Sequence, residues 1–188
     1  DPVTGDPTFA DVDGDGVVTE NDRTYIGDAI PDFTYGITLT AAYKGLDLTV
    51  FGTGSYGNDI FHASYRPDYK ESNKMKEVFY DNRWTVDNPS QDVFYPRLDY
   101  GTNSNNSQPS TWWLRNMSFM RLKNIELGYS FPKKWMQNIF ISGARVFVRG
   151  TNLLTFSNFK LWDPEVKDKT GAAYPVMKSL SAGFEIRF

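Results

Sequence analysis

The sequence predicts an all-β protein: the C-terminal part of a large transmembrane β-barrel, with about five antiparallel strands and long outer loops. Three observations predict it. Five segments alternate between apolar and polar residues, the period of a strand with two unlike faces. The connections between them are alternately long and short. Aromatic residues reach 16%, with 14 Phe, 11 Tyr and 5 Trp, as expected of strands whose ends sit in membrane interfaces.

The first strand is expected over 33–43. Phe33, Tyr35, Ile37, Leu39, Ala41 and Tyr43 share one face; Thr34, Gly36, Thr38, Thr40 and Ala42 share the other. Eleven residues is about the length of a tilted membrane-crossing strand. Lys44-Gly45 reads as a tight turn into a second strand over 46–56, where Leu46, Leu48 and Val50 oppose Asp47, Thr49, Thr53 and Ser55. A third strand covers 118–131, with Ile125, Leu127, Tyr129 and Phe131 alternating with Asn124, Glu126, Gly128 and Ser130 until Pro132 ends it. A fourth is expected at 143–151, with Ala144, Val146 and Val148 set against Arg145 and Arg149. The last runs over 178–188: Leu180, Ala182, Phe184, Ile186 and Phe188 on one face, Ser181, Gly183, Glu185 and Arg187 on the other. A charge on a lipid-facing position costs about 2–4 kcal/mol at the bilayer midplane, so Glu185 and Arg187 belong to the lumen.

The connections fit a barrel with short periplasmic turns and long outer loops. Counting back from a periplasmic C-terminus puts 152–177 outside, 132–142 inside, 58–116 outside, 44–45 inside and 1–31 outside. Five strands cannot close a membrane barrel, because an open edge leaves backbone groups that lipid cannot satisfy. The chain is therefore expected to be a fragment completed by upstream strands or by another chain. Its expected parts are 1–31, an extracellular acidic loop, and 32–188, the C-terminal transmembrane strands with their extracellular loops.

Composition narrows the function classes. Apolar residues make up 40% and charged residues 23%, close to the globular norm. A net charge of −3 argues against a nucleic-acid partner. With no cysteine there is no disulfide, thiolate metal site or cysteine nucleophile. No apolar run is long enough for a transmembrane helix.

The acidic loop is the sharpest chemical feature. The first 31 residues hold eight Asp or Glu and one Arg. Asp11, Asp13, Asp15, Gly16 and Asp22 fall at positions one, three, five, six and twelve of an EF-hand-type calcium loop. Thr19 takes position nine, and Val17 offers its backbone carbonyl from position seven. Carboxylates two apart converge on one hard cation because Gly16 lets the chain turn, so a structural Ca²⁺ is expected. Asp22 replaces the usual glutamate and reaches less far. The alternative is an acidic turn held by Asx hydrogen bonds. A dockerin also uses aspartate at position twelve, but needs a second loop and helices that this chain lacks.

Gly52-Thr53-Gly54-Ser55-Tyr56-Gly57 matches G-x-G-x-x-G, but no βαβ unit surrounds it, so the glycines are read as strand positions. His62, the one histidine, is expected in a loop, and nothing marks a nucleophile elbow. No catalytic residue is assigned, and the protein is not expected to be an enzyme. Trp84, Trp112, Trp113 and Trp162 fall in outer loops or at strand tops. They are candidates for contact with substrate or partner, or for packing between loops.

A set of ordered motifs resembles the C-terminal region of the SusC/RagA family of TonB-linked outer-membrane importers, the TonB-dependent receptors. It begins with Asp11-Val12-Asp13-Gly14-Asp15-Gly16, Asp22-Arg23 and Tyr25-Ile26-Gly27. Pro31-Asp32-Phe33-Thr34-Tyr35-Gly36, Gly57-Asn58-Asp59-Ile60-Phe61 and Asn82-Arg83-Trp84 follow, then Ser118-Phe119-Met120-Arg121-Leu122-Lys123-Asn124 and Leu127-Gly128-Tyr129. Thr151-Asn152-Leu153-Leu154-Thr155, Asp163-Pro164-Glu165 and the terminal strand complete it. The resemblance implies a plugged, many-stranded barrel in the outer membrane of a Bacteroidetes-type bacterium. It also implies a SusD-like surface lipoprotein partner, TonB engaged through an N-terminal part absent here, and nutrient uptake of oligosaccharides or oligopeptides. The competing reading is a secreted, calcium-containing, carbohydrate-binding β-sandwich.

Overall fold

The computed structural model describes residues 1–61, 77–99, 103–136, 140–166 and 173–188. His62 lies outside these. The chain forms two compact units. One contains Asp28–Ile60 and Asn116–Phe188, the other Asp1–Gly27 and Phe61–Arg115.

The first unit is a five-stranded antiparallel sheet of β1 (Phe33–Tyr43), β2 (Leu46–Tyr56), β5 (Phe119–Ser130), β6 (Gly143–Ser157) and β7 (Ser179–Arg187), in that spatial order. Each strand pairs with the next of the five along the chain. Short strands β3 (Asp59–Phe61) and β4 (Leu114–Asn116) flank the long insertion between β2 and β5. The first two strands have the bounds expected from alternation. β6 runs six residues beyond the expected 151, to Ser157. An irregularity hides its second half. Leu122 pairs with Leu154 and Asn124 with Thr151, so two residues of β6 stand opposite the single Lys123. Asn152 takes φ 53° there, and its Nδ2 donates to the Met177 carbonyl at 2.9 Å. Period-2 reading falters at such a bulge.

The β1–β2 turn is built as Lys44-Gly45 predicts, with φ of 47° and 90°. A Cβ on Gly45 would lie 2.7 Å from the Ser130 carbonyl oxygen, so that position also needs glycine for space. The other sheet among the described residues is the two-stranded pair β3–β4, whose three-residue strands are too short to form the second layer of a sandwich. No helix among the described residues is long and apolar enough to cross a membrane.

The second unit is built differently. Its described residues form one five-residue helix, α1 (Glu77–Asp81), two 3-10 turns and much irregular chain. Its core is aromatic: Phe79, Tyr95 and Trp113 are buried together, with Phe94, Leu98 and Trp112 packed around them. Tyr95 and Trp113 meet edge to face, with ring centroids 5.5 Å apart.

Candidate functional site

The sheet has two unlike faces. Pairing sets Leu39, Val50, Ile125, Gly150 and Leu180 in one row across all five strands. On this face Leu39, Val148, Leu180 and Phe184 are exposed, Phe184 at 74%. An apolar face left open to this extent is built for a solvent other than water or for a partner.

The opposite face carries charge. Arg145 Nη2 lies 2.5 Å from Asp47 Oδ2 and 2.7 Å from Glu126 Oε1, and Arg145 Nη1 lies 3.5 Å from Glu185. Arg149 reaches the other Glu126 oxygen at 2.5 Å. This network ties β2, β5, β6 and β7 together. Gly128 makes room for it, since a Cβ there would lie 2.3 Å from the Arg145 guanidinium. Alternation placed Glu185 on this face. It left unseen the partners that non-local pairing brings to Arg145.

A second cluster sits nearer the β2–β5 end of the same face. Thr53, Arg121 and Thr155 are register partners. The Arg121 side chain is 2% exposed and pairs with Asp163, with Glu165 at 3.4 Å. Lys123 Nζ bonds both Glu165 oxygens, at 2.6 and 2.7 Å. Burial tends to raise the Asp163 carboxyl pKa. The Arg121 hydrogen bond and the Glu165 backbone N–H outweigh this and hold it below the ordinary carboxylate value. Phe159 is buried with Ile60 and Met117, while Leu161 and Trp162 pack against them. The sequence holds a faint signal of this site. Asp163-Pro164-Glu165 sets two acids about a turn residue, but nothing local points them to Arg121, 42 positions away.

The acidic loop brings together three of the residues expected to hold a cation. Ligand oxygens of Asp11, Asp13 and Asp15 lie within 4.8 Å of one another, and all three residues are exposed. The loop is also stitched by its own backbone. Asp11 accepts from Gly14 and Gly16 N–H at 2.7 and 2.8 Å, and Asp15 accepts from Val17 N–H at 2.8 Å. Asp22 stands outside the triplet. Its carboxylate accepts N–H bonds from Thr19 at 2.6 Å, Val12 at 2.7 Å and Asp13 at 3.3 Å. Those bonds, Thr19's foremost, hold its pKa below the ordinary value. Thr19 caps the 3-10 turn Glu20–Asp22, its hydroxyl accepting from the Asn21 N–H. The donor set suits a hard cation through three carboxylates, and the position-twelve acid lies beside Asp11 while accepting three backbone N–H bonds.

The four candidate tryptophans divide by burial. Trp113 is core, and its indole N–H donates to the Asn106 carbonyl at 3.1 Å. Trp84 is buried too, and its N–H donates to the Pro2 carbonyl at 3.2 Å. Trp112 and Trp162 are half-buried. Trp84 and Trp112 share a cleft of about 590 Å³ with Asp6, Thr8, Gln91 and Thr111. Asp6 organises this neighbourhood, accepting from Arg97 Nε at 2.7 Å and Asn106 Nδ2 at 2.8 Å. Burial pushes the Asp6 pKa up, but the hydrogen bonds from Arg97 and Asn106 bring it below the ordinary value.

Comparison with known proteins follows the same outline. No family model matches the chain. It is 30% identical over 201 residues to TonB-dependent receptor P26 of Formosa agariphila, a match covering 99% of this chain and 20% of the relative. It is 26% identical over 182 residues to TonB-dependent receptor SusC of Bacteroides thetaiotaomicron, covering 96% of this chain and 17% of that protein. Among solved structures, the RagAB peptide importer in its closed-closed state matches with a TM-score of 0.71 and 29% identity. That match covers 99% of this chain and 22% of that one. The chain thus spans about a fifth of the relatives it matches.

Proposed function

We propose that this chain, a segment of a SusC/RagA-type TonB-dependent receptor, supplies five neighbouring strands and part of the outer loops of a barrel that imports oligomeric nutrients across the outer membrane. The observation that supports this best is the sheet's division into an exposed apolar face and a face of paired charges. Lipid accepts the first face and a watery lumen accepts the second. Strands β1 and β7 are the sheet's two edges, and upstream strands of the same barrel would cover them.

The receptor's plug and a TonB-contacting segment belong to the remainder of the protein in this reading. A SusD-like surface lipoprotein is the expected partner, as the likeness to RagAB supports. The cargo is an oligopeptide or an oligosaccharide. The peptide importer is the relative whose described cargo bears on that choice. The loops, including the unit of Asp1–Gly27 and Phe61–Arg115, face the cell exterior. Of the four tryptophans, Trp112 and Trp162 keep more exposed surface for cargo or partner than the buried Trp84 and Trp113. The decisive experiment expresses the full-length receptor with and without its lipoprotein and measures uptake of labelled peptides and glycans. Uptake of neither class, with the receptor correctly inserted, overturns the transport reading.

Asp11, Asp13 and Asp15 are proposed to hold a structural Ca²⁺, helped by the Val17 carbonyl and the Thr19 position, with Asp22 shaping the loop. The ion would order an exposed loop by neutralising three converging carboxylates. Calorimetric titration of the intact receptor with calcium should show saturable binding that Asp13→Ala removes. An identical titration in that variant sinks the assignment.

A further inference from the structure

The segment from Asn158 to Val166 begins where β6 ends and lies over the polar face of β5. Three observations fix it there. Arg121, on that face by its register with Thr53 and Thr155, pairs with Asp163. Lys123 holds both oxygens of Glu165. Phe159 is buried against Ile60 and Met117, and Phe159 and Trp162 meet edge to face with centroids 4.8 Å apart. Pro164, between the two acids, is buried, while Lys160 is exposed. The Arg121–Asp163 pair is the better shielded of the two, and removing one partner would leave the other charge buried without compensation. A loop held only by solvent-exposed contacts would have no such tether.

We propose that Asn158–Val166 is a fixed strap lying inside the barrel. In this assignment Arg121 and Lys123 are the positioning residues, and the half-buried Trp162, seated edge to face on Phe159, is the side chain the strap holds beside the aqueous path that solute follows. The assignment rests on the barrel reading above, because only in a closed barrel does the polar face become a lumen. The strap then narrows that lumen. It presents the indole of Trp162 to a polar oligomer, making that residue a determinant of which solutes pass.

Cysteine accessibility tests this in the full-length receptor in whole cells, with any native cysteines replaced. Lys160→Cys, Trp162→Cys and, on the apolar face, Leu180→Cys are each treated with a small cationic methanethiosulfonate and with a lipid-soluble maleimide. The strap predicts rapid aqueous labelling at position 160 and slow labelling at 162. Adding Asp163→Asn and Glu165→Gln should raise the rate at 162 by at least about tenfold and leave 160 unchanged. If that pair blocks insertion, Glu165→Gln alone replaces it, since Arg121 keeps Asp163. The swap Lys123→Glu with Glu165→Lys should restore the slow rate at 162. An inert position 160, or a rate at 162 indifferent to the clamp, overturns the strap. The barrel reading fails separately: position 180 would then label with the aqueous reagent.

Discussion

The sheet and the loop unit use the same residue types in opposite senses. In the loop unit Trp113 is 2% exposed and closes an aromatic core with Phe79 and Tyr95. In the sheet Phe184 is 74% exposed and Leu180 75%. Charge differs too. The sheet's charges pair with one another across strands, whereas the loop unit has the pair Arg97–Asp6 and, besides it, the exposed triplet Asp11, Asp13 and Asp15. One region is built against water by an ordinary buried core. The other keeps little core of its own and leaves its apolar surface for a solvent that costs nothing to face. Burial therefore reports stability in the loop unit and orientation in the sheet.

The largest test of that contrast is Trp113→Ala. Removing a buried indole should cost the loop unit about 3–5 kcal/mol. Hydrogen exchange on the intact receptor should show protection lost around 77–99 and retained in the strands. Equal loss in both regions would mean that they do not behave as separate units. Next, Leu39→Arg at the centre of β1 should cost about 2–4 kcal/mol in a bilayer. Val86→Arg, at an 82% exposed loop position, should stay within about 0.5 kcal/mol. Equal effects in an insertion assay would break the assignment of faces. Gly5→Ala should come third. Gly5 has φ 72°, and a Cβ there would lie 2.4 Å from the Trp84 ring. Strain and overlap together should cost about 1–3 kcal/mol, read as faster proteolysis of the loop unit.

Acid should give the smallest effect, read in the loop unit at Asp6. Asp6 has a folded pKa below its ordinary value. The stability it contributes is complete above the unfolded carboxylate value of about 4 and is lost as pH falls through the folded one. Protection near Arg97 should therefore decline only below about pH 4, and Asp6→Asn should flatten that decline. An unchanged decline in the variant would assign the acid sensitivity to other carboxylates.

The wall of the barrel was legible in the residues. Alternation at 33–43, 46–56 and 179–187 survives in the strands because a wrong-facing charge in lipid costs more than local propensity can recover. The Lys44-Gly45 turn was legible for a similar reason, since few residue pairs accept its backbone angles. The triplet of aspartates was legible too, as its spacing is local. The extension of β6 was hidden by Asn152 at the bulge. The loop unit and the strap were beyond reach of any periodicity. Arg97 meets Asp6 across 91 positions, and Arg121 meets Asp163 across 42. Such contacts depend on where irregular chain returns in space, and no repeat along the chain encodes that. Strand faces follow from which solvent each side chain meets, a property of the residue and its neighbours. Partners in loops follow from closure of long chain segments, which only the folded backbone decides.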